Sequence, residues 1–353
     1  MSLWWCLCPD IQYHVLEWLN VRSLLRLRAC STHTRKLFEN PRAWSTVAFE
    51  HLPFTPSLVT THTTHLSVLE DCPLASNGVE VQLACVSRCS QLETLDFDRA
   101  DLSVPPPPTL KTLRINRIHN LSWFSPCQGL KNLRITLSDE RYLSQTRDTQ
   151  DLNFLKAFPS LKTLYLVAFS VDNLEPLTRL PNLKNLFLEY RRLSDITPLA
   201  RCEQLRSLCL DCHNRHSGTY NARCPGVRDF SPLAGCSELL GLTIRDSPFQ
   251  DLGFVRHCQR LQYLRLWDCH SLEDLSPLSG CPHLEVLRLR RCKVSDVSPL
   301  LECRALKYVK LDTNNLLRRH VRVLDRHPTL ESVDFHDIYE NLRESWTEPN
   351  TIN

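Results

Sequence analysis

Residues 261–303 read LQYLRLWDCHSLEDLSPLSGCPHLEVLRLRRCKVSDVSPLLEC, and the two halves of this stretch carry one pattern twice. Each half opens on L-x-x-L-x-L, as Leu261/Leu264/Leu266 and then Leu284/Leu287/Leu289. Each closes on Asp-x-Ser-Pro-Leu and a cysteine, with Asp274, Pro277 and Cys281 answered by Asp296, Pro299 and Cys303. Alternate side chains of a strand share a face, so the second and third leucines of each template point the same way. Working outward, the template recurs at Leu239/Leu242/Ile244, Leu205/Leu208/Leu210, Leu183/Leu186/Leu188 and Leu161/Leu164/Leu166. It reaches back through Leu130/Leu133/Ile135, Leu110/Leu113/Ile115 and Leu92/Leu95/Phe97, and forward through Leu306/Val309/Leu311 and Leu330/Val333/Phe335. The period is about 22 residues, the signature of a solenoid. One unit cannot bury its apolar edge alone. Stacked units can, with strands about 4.8 Å apart in a parallel sheet.

The second half of each unit is as regular. Asp195, Asp229, Asp274 and Asp296 each stand three residues before a proline, and Asn173 does the same before Pro176. An Asp or Asn side chain here can accept from nearby backbone N–H groups, and proline suits the first turn of a short helical segment. In pattern this resembles the short, internalin-like class of leucine-rich repeats over residues 90–335. The resemblance implies an α/β fold: a parallel-sheet horseshoe of about eleven repeats. It speaks to fold and not to function. Residues 51–89 are weakly patterned, with Leu66 and Val68 opening a degenerate early repeat. Residues 336–353 turn polar and read as a cap and tail.

Bulk composition excludes several classes. The chain has 353 residues, 23% of them charged, with a formal net charge of +3, so no bulk attraction to nucleic acid or membrane is expected. Eight glycines and no GxGxxG or Walker string argue against phosphate loops. No apolar run approaches the length of a bilayer span, and the start Leu3-Trp4-Trp5-Cys6-Leu7 lacks a basic leader. A soluble cytoplasmic protein, with the nucleus also open to it, is the expectation. Seventeen cysteines invite a disulfide reading. Their register gives a plainer one: Cys89, Cys202, Cys236, Cys258, Cys281 and Cys303 each precede a strand's first leucine by three, and Cys269 and Cys292 follow a last leucine by three. Columns like these suit small buried apolar residues.

Residues 8–44 lack the repeat. Ile11, Val15, Leu16 and Leu19 fall on one helical face, Pro9 suits a first turn, and Asn20 can end one helix and cap the next. Leu24-Leu25, Ser31, Arg35, Leu37 and Trp44 follow. This order resembles the F-box, a small helical adaptor-binding domain of ubiquitin ligases, here spanning residues 1–50. Cys8, Ser23, Cys30 and Thr34 depart from the family's Leu, Asp, Val and central Trp. The resemblance implies that Pro9, Ile11, Val15, Leu16, Leu19, Leu24 and Leu25 insert into a Skp-type adaptor joined to a cullin scaffold. The repeats would then hold a protein substrate, and no residue would catalyse. The alternatives are a plain cap over the first repeat, or a repeat scaffold resembling the leucine-rich-repeat regulator of type-1 protein phosphatase.

Residues between the inward leucines face outward from the sheet. They form one group of Tyr165, Phe187 and Tyr190, and another of Arg245, Tyr263, Arg265, Trp267, Arg288, Arg290, Arg291, Tyr308 and Lys310. Aromatics flanked by arginine are hot-spot chemistry, and the arginines suit an acidic or phosphorylated segment. A solvated face is the bland reading, with Asp246 and Asp268 nearby. Insertions over 137–151 and 211–226 lengthen two repeats and are candidate contact loops. Cys209-Leu210-Asp211-Cys212-His213 formally spells a haem attachment motif, but its first half is a repeat strand, so no cofactor is expected. Cys209, Cys212, His213, His216 and Cys224 remain an open zinc set. No spacing marks a nucleophile with its base.

Overall fold

The computed structural model describes residues 24, 43, 46–49, 59–68, 81–82, 84–101, 105–117, 124–136, 151–167, 171–212, 226–312 and 318–336. The chain forms two compact units, one of residues 1–168 with 179–183, the other of 169–178 with 184–353. In the first unit the strands are β1 (Thr46–Phe49), β2 (His65–Val68), β3 (Val81–Gln82), β4 (Thr94–Asp101), β5 (Thr112–Arg117), β6 (Asn132–Thr136) and β7 (Thr163–Val167). All pair parallel in chain order, except that β3 attaches to the far end of β4. In the second unit β8 (Asn185–Tyr190), β9 (Ser207–Cys212), β10 (Gly241–Arg245), β11 (Tyr263–Trp267), β12 (Val286–Arg290), β13 (Tyr308–Asp312) and β14 (Ser332–His336) do likewise. This is the leucine-rich-repeat solenoid that the period predicts. The ladder starts earlier than the first clear template, because β1 and β2 pair with Val47 opposite Leu66, and both are buried.

The template apolar residues from Leu92 to Leu311 are sealed from water, whereas Leu330, Val333 and Phe335 of the last strand are partly exposed. In β12 the pattern alternates, with Leu287 and Leu289 buried and Arg288 and Arg290 exposed, as period-2 strand geometry requires. Full burial of one such leucine contributes about 1.5–3 kcal/mol. The return path of each repeat is a 3-10 helix, such as Thr197–Arg201, Ser231–Gly235, Ser276–Gly280 or Ser298–Glu302. Its entry is set by the Asp column. The Oδ1 atoms of Asp195, Asp229, Asp274 and Asp296 accept from the backbone N–H two residues on, each at 2.8 Å, and Asn173 accepts from Glu175 in the same way. Proline then occupies the first turn, where its missing N–H costs nothing.

The cysteines are free thiols in the core, with no disulfide among the described residues. Four thiols of the main column donate to a carbonyl of the preceding repeat, Cys236 to Leu199 at 3.3 Å, Cys258 to Leu233 at 3.6 Å, Cys281 to Val255 at 3.5 Å and Cys303 to Leu278 at 3.3 Å, while Cys202 donates to Pro198 in its own repeat. Two further members occupy the same column. Cys127 stands three residues before Leu130 and donates to Pro107. His327 stands three before Leu330, and its Nε2 lies 3.1 Å from the carbonyl of Leu300. The Thr329 N–H donates to His327 Nδ1, so Nε2 carries the proton and donates across the repeat as a thiol does elsewhere.

Candidate functional site

The exposed face of β8 to β13 is built by the residues between the inward leucines. The register sets them in columns: Phe187, Cys209, Thr243, Arg265, Arg288, Lys310 and Asp334 lie side by side across the strands. On one side Tyr263, Val286 and Tyr308 form a shorter column. On the other side run Asp211, Arg245, Trp267, Arg290 and Asp312. The partner-binding residues expected between β9 and β13 therefore share one surface.

Their charges are unevenly answered. Arg245 pairs with the nearly buried Asp211 at 3.2 Å, and its guanidinium lies 4.0 Å over the Trp267 ring. This stack holds both side chains in place. Lys310 lies 3.3 Å from Asp334 and 3.7 Å from Asp312, so it is partly neutralised. Arg291 leaves β12 in the left-handed region, with φ of 51°, and meets Asp268 at 3.2 Å. Tyr308 donates to Glu331 at 2.7 Å, a bond that raises its phenol above the ordinary value. Arg265, Arg288 and Arg290 have no carboxylate partner among the described residues. Burial holds the Arg265 guanidinium below its ordinary value, and the neighbouring Arg288 and Arg245 charges push the same way.

Two expectations need correction, and one open set narrows. Tyr190 is not part of an exposed aromatic group. It is fully buried, with its hydroxyl 3.4 Å from Ser247, and burial raises its phenol far above the ordinary range. The physical reason is parity: Tyr190 follows Leu188 by two and so shares the inward face. Phe187 stays half-exposed on β8. Tyr165 belongs to the other unit, where Arg134 lies 4.3 Å over its ring and Arg114 faces Asp96 at 3.6 Å. Second, Leu24 is helical and fully buried within the chain, so it packs rather than presents itself to an adaptor. The other expected adaptor contacts, Pro9, Ile11, Val15, Leu16, Leu19 and Leu25, lie outside the described residues. Third, Cys209 and Cys212 are three apart on β9 and so project to opposite faces, one half-exposed and one buried. They cannot share one zinc ion while β9 holds, and burial pushes the Cys209 thiol up to about 12. His213, His216 and Cys224 lie outside the described residues. Among the described residues, no group of three or more His, Cys, Asp or Glu could hold a metal ion. No described helix is long and apolar enough to cross a membrane.

Two partners escaped the sequence reading. Asp334 sits between Val333 and Phe335, so the template itself placed it beside Lys310. Asp211 opens the 211–226 insertion in the sequence reading, yet it continues β9 and follows Leu210 as Arg245 follows Ile244.

Comparison with known proteins follows the same division. Residues 4–46 match the family model of the F-box domain, and residues 259–302 match that of leucine-rich repeats in two copies. No curated sequence relative matches significantly. Among solved structures, an internalin, InlF, of Listeria monocytogenes aligns over 89% of this chain and 88% of its own at 18% identity, with a TM-score of 0.54. That likeness shows the fold alone. Internalin C2 of the same organism aligns over 52% of this chain and 74% of its own at 25% identity, with a TM-score of 0.44.

Proposed function

We propose that this chain, which joins an F-box sequence to leucine-rich repeats, is a substrate receptor of a cullin-type ubiquitin ligase. At the coarser level it is a protein-interaction module. The observation that carries the finer reading is the F-box match over residues 4–46, which ends where β1 of the repeat ladder begins at Thr46. Pro9, Ile11, Val15, Leu16, Leu19 and Leu25 supply the apolar contact to a Skp-type adaptor, which links the chain to the cullin. The exposed face of the second unit holds the protein to be modified. The chain itself performs no chemistry in this reading, and it works where the ligase does, in the cytoplasm or the nucleus.

The test is direct. The purified chain is mixed with a Skp-type adaptor and resolved by size-exclusion chromatography, beside Leu16→Asp. A one-to-one complex that Leu16→Asp abolishes is the expected result. A folded chain that forms no complex would reduce residues 1–50 to a cap and return the protein to the phosphatase-regulator class of scaffold.

A further inference from the structure

We propose, on the basis of the receptor reading, that Tyr263, Val286 and Tyr308 form a docking track for a proline-rich segment of the partner protein, bound as a polyproline II helix that runs across the strands. Among the described residues the exposed aromatic side chains are Tyr263 and Tyr308, at 43% and 47%. They stand in one column on β11 and β13, with Val286 of β12 between them. Trp267, another large ring of this face, is already covered by the Arg245 guanidinium. The Tyr308 hydroxyl donates to Glu331 of the next repeat at 2.7 Å, which ties that ring toward β14 and away from Tyr263. A ring held in place before binding loses less freedom on binding.

The spacing selects the ligand. Two strand intervals separate the tyrosines, about 9.6 Å at the backbone. A polyproline II helix advances about 9.3 Å in one turn of three residues, so residues i and i+3 meet the two rings together. The smaller Val286 leaves room for the backbone between them. An extended strand laid the same way repeats its face about every 6.7 Å and falls out of step. An α-helix advances about 5.4 Å per turn, so one turn is far too short and two overshoot. Aromatic-lined surfaces are a known kind of seat for proline-rich segments.

The polar groups favour the same ligand. Two residues along each strand from the tyrosine column run Arg265, Arg288 and Lys310, all of them donors. Arg265 Nε is buried and has no hydrogen-bond partner, and a buried donor left unmet marks a place where an acceptor belongs. Carboxylates are close by. Asp312 stands in register beside Arg290, and Asp334 lies 3.3 Å from Lys310. An acidic ligand would meet these carboxylates, whereas a neutral ligand rich in acceptors would not. A proline-rich segment has that character. Proline brings no N–H, and a polyproline II helix makes no internal hydrogen bonds, so its carbonyls are free to accept from the arginine column.

The experiment uses the full chain, immobilised, with libraries of ten-residue peptides as probes. One library carries Pro-x-x-Pro at its centre, where x is any residue but proline. Control libraries carry Ala-x-x-Ala, Pro-x-x-x-Pro or Glu-x-x-Glu. The expected result is about tenfold greater retention of the Pro-x-x-Pro library than of each control, the ratio given by about 1.4 kcal/mol of preference. Tyr263→Ala and Tyr308→Ala, both at exposed positions, should each bring retention down to that of Ala-x-x-Ala, and Arg265→Gln should weaken it. Circular dichroism of the variants shows that they are folded. Equal retention of all libraries, greater retention of the Glu-x-x-Glu library, or a proline preference that survives both tyrosine changes would overturn the track. Adaptor binding is read on the same preparations. A chain that binds adaptor but shows no proline preference loses the track and keeps the receptor role. A chain that prefers Pro-x-x-Pro but binds no adaptor keeps the track and loses that role.

Discussion

A thiol in the core of this solenoid fills a small space, and Cys236, Cys258, Cys281 and Cys303 also give their weak donor to a carbonyl of the repeat before. Burial pushes Cys127, Cys202, Cys258 and Cys303 up to about 11, and Cys236 and Cys281 up to about 12. The thiolate is the reactive form. Iodoacetamide at pH 8 should therefore leave these residues unmodified in the native chain and label them on unfolding, as peptide mass spectrometry would record. Rapid native labelling of Cys236 or Cys281 would mean that the column is open. Tyr190 makes a matching point. Its ring is among the largest fully buried side chains, so Tyr190→Ala should cost about 3–5 kcal/mol in chemical denaturation, as large aromatic truncations do. A loss under about 1 kcal/mol would return the residue to the surface. Parity from Leu188 made this legible, and the aromatic type misled. The outward parity of the arginines was legible, and so was the partner of Arg245, since Asp211 follows Leu210 as Arg245 follows Ile244.

At the scale of the element, the Asp-x-Ser/Thr-Pro-Leu segment shows how a short side chain sets a turn. Hydrogen bonds from residues two on hold the carboxyls of Asp195, Asp229 and Asp274 below the ordinary value, and Asn153 does so for Asp151. The folded chain therefore binds fewer protons than the unfolded chain just above and through the carboxylate range. The stabilisation is present above the unfolded pKa of about 3.9 and is lost as pH falls through the lower folded value. Thermal melts should fall as pH drops below about 4. Replacing Asp195, Asp229 and Asp274 together with Asn should keep the fold, since Asn173 already caps a repeat, and should flatten that acid limb. An unchanged limb would show that other carboxyls set it. The 3-10 helices also explain one glycine. A Cβ at Gly235 would stand 2.5 Å from the Ala200 carbonyl oxygen in the neighbouring repeat. Gly235→Ala should cost about 1–3 kcal/mol, because the backbone it meets cannot turn away. This approach was not legible in the sequence, where Gly235 occupies the position that Arg201 and Glu302 hold in other repeats. Only the packing of adjacent units distinguishes it.

For the whole molecule, the repeat period carried most of the fold, because a solenoid is built from near-neighbour contacts that one sequence template can encode. The template weakened at the N-terminal end, where β1 lacks the leucine triplet and only its pairing with β2 shows it to be a repeat strand. The functional division was legible as two resemblances, and the F-box match and the leucine-rich-repeat match fall where those resemblances lie. What a repeat period cannot encode is the partner, since the outward positions are free of the packing that makes the inward ones uniform. The proposed function therefore rests on residues outside the pattern, above all the apolar surplus before residue 45. The most direct measurement is capture of the tagged full chain from cells, with adaptor and cullin quantified by mass spectrometry against Leu16→Asp. The account predicts that both subunits accompany the wild-type chain and are lost with Leu16→Asp, while proteins held by the repeats remain. Capture of neither subunit by a folded wild-type chain, or equal capture by both chains, would contradict it.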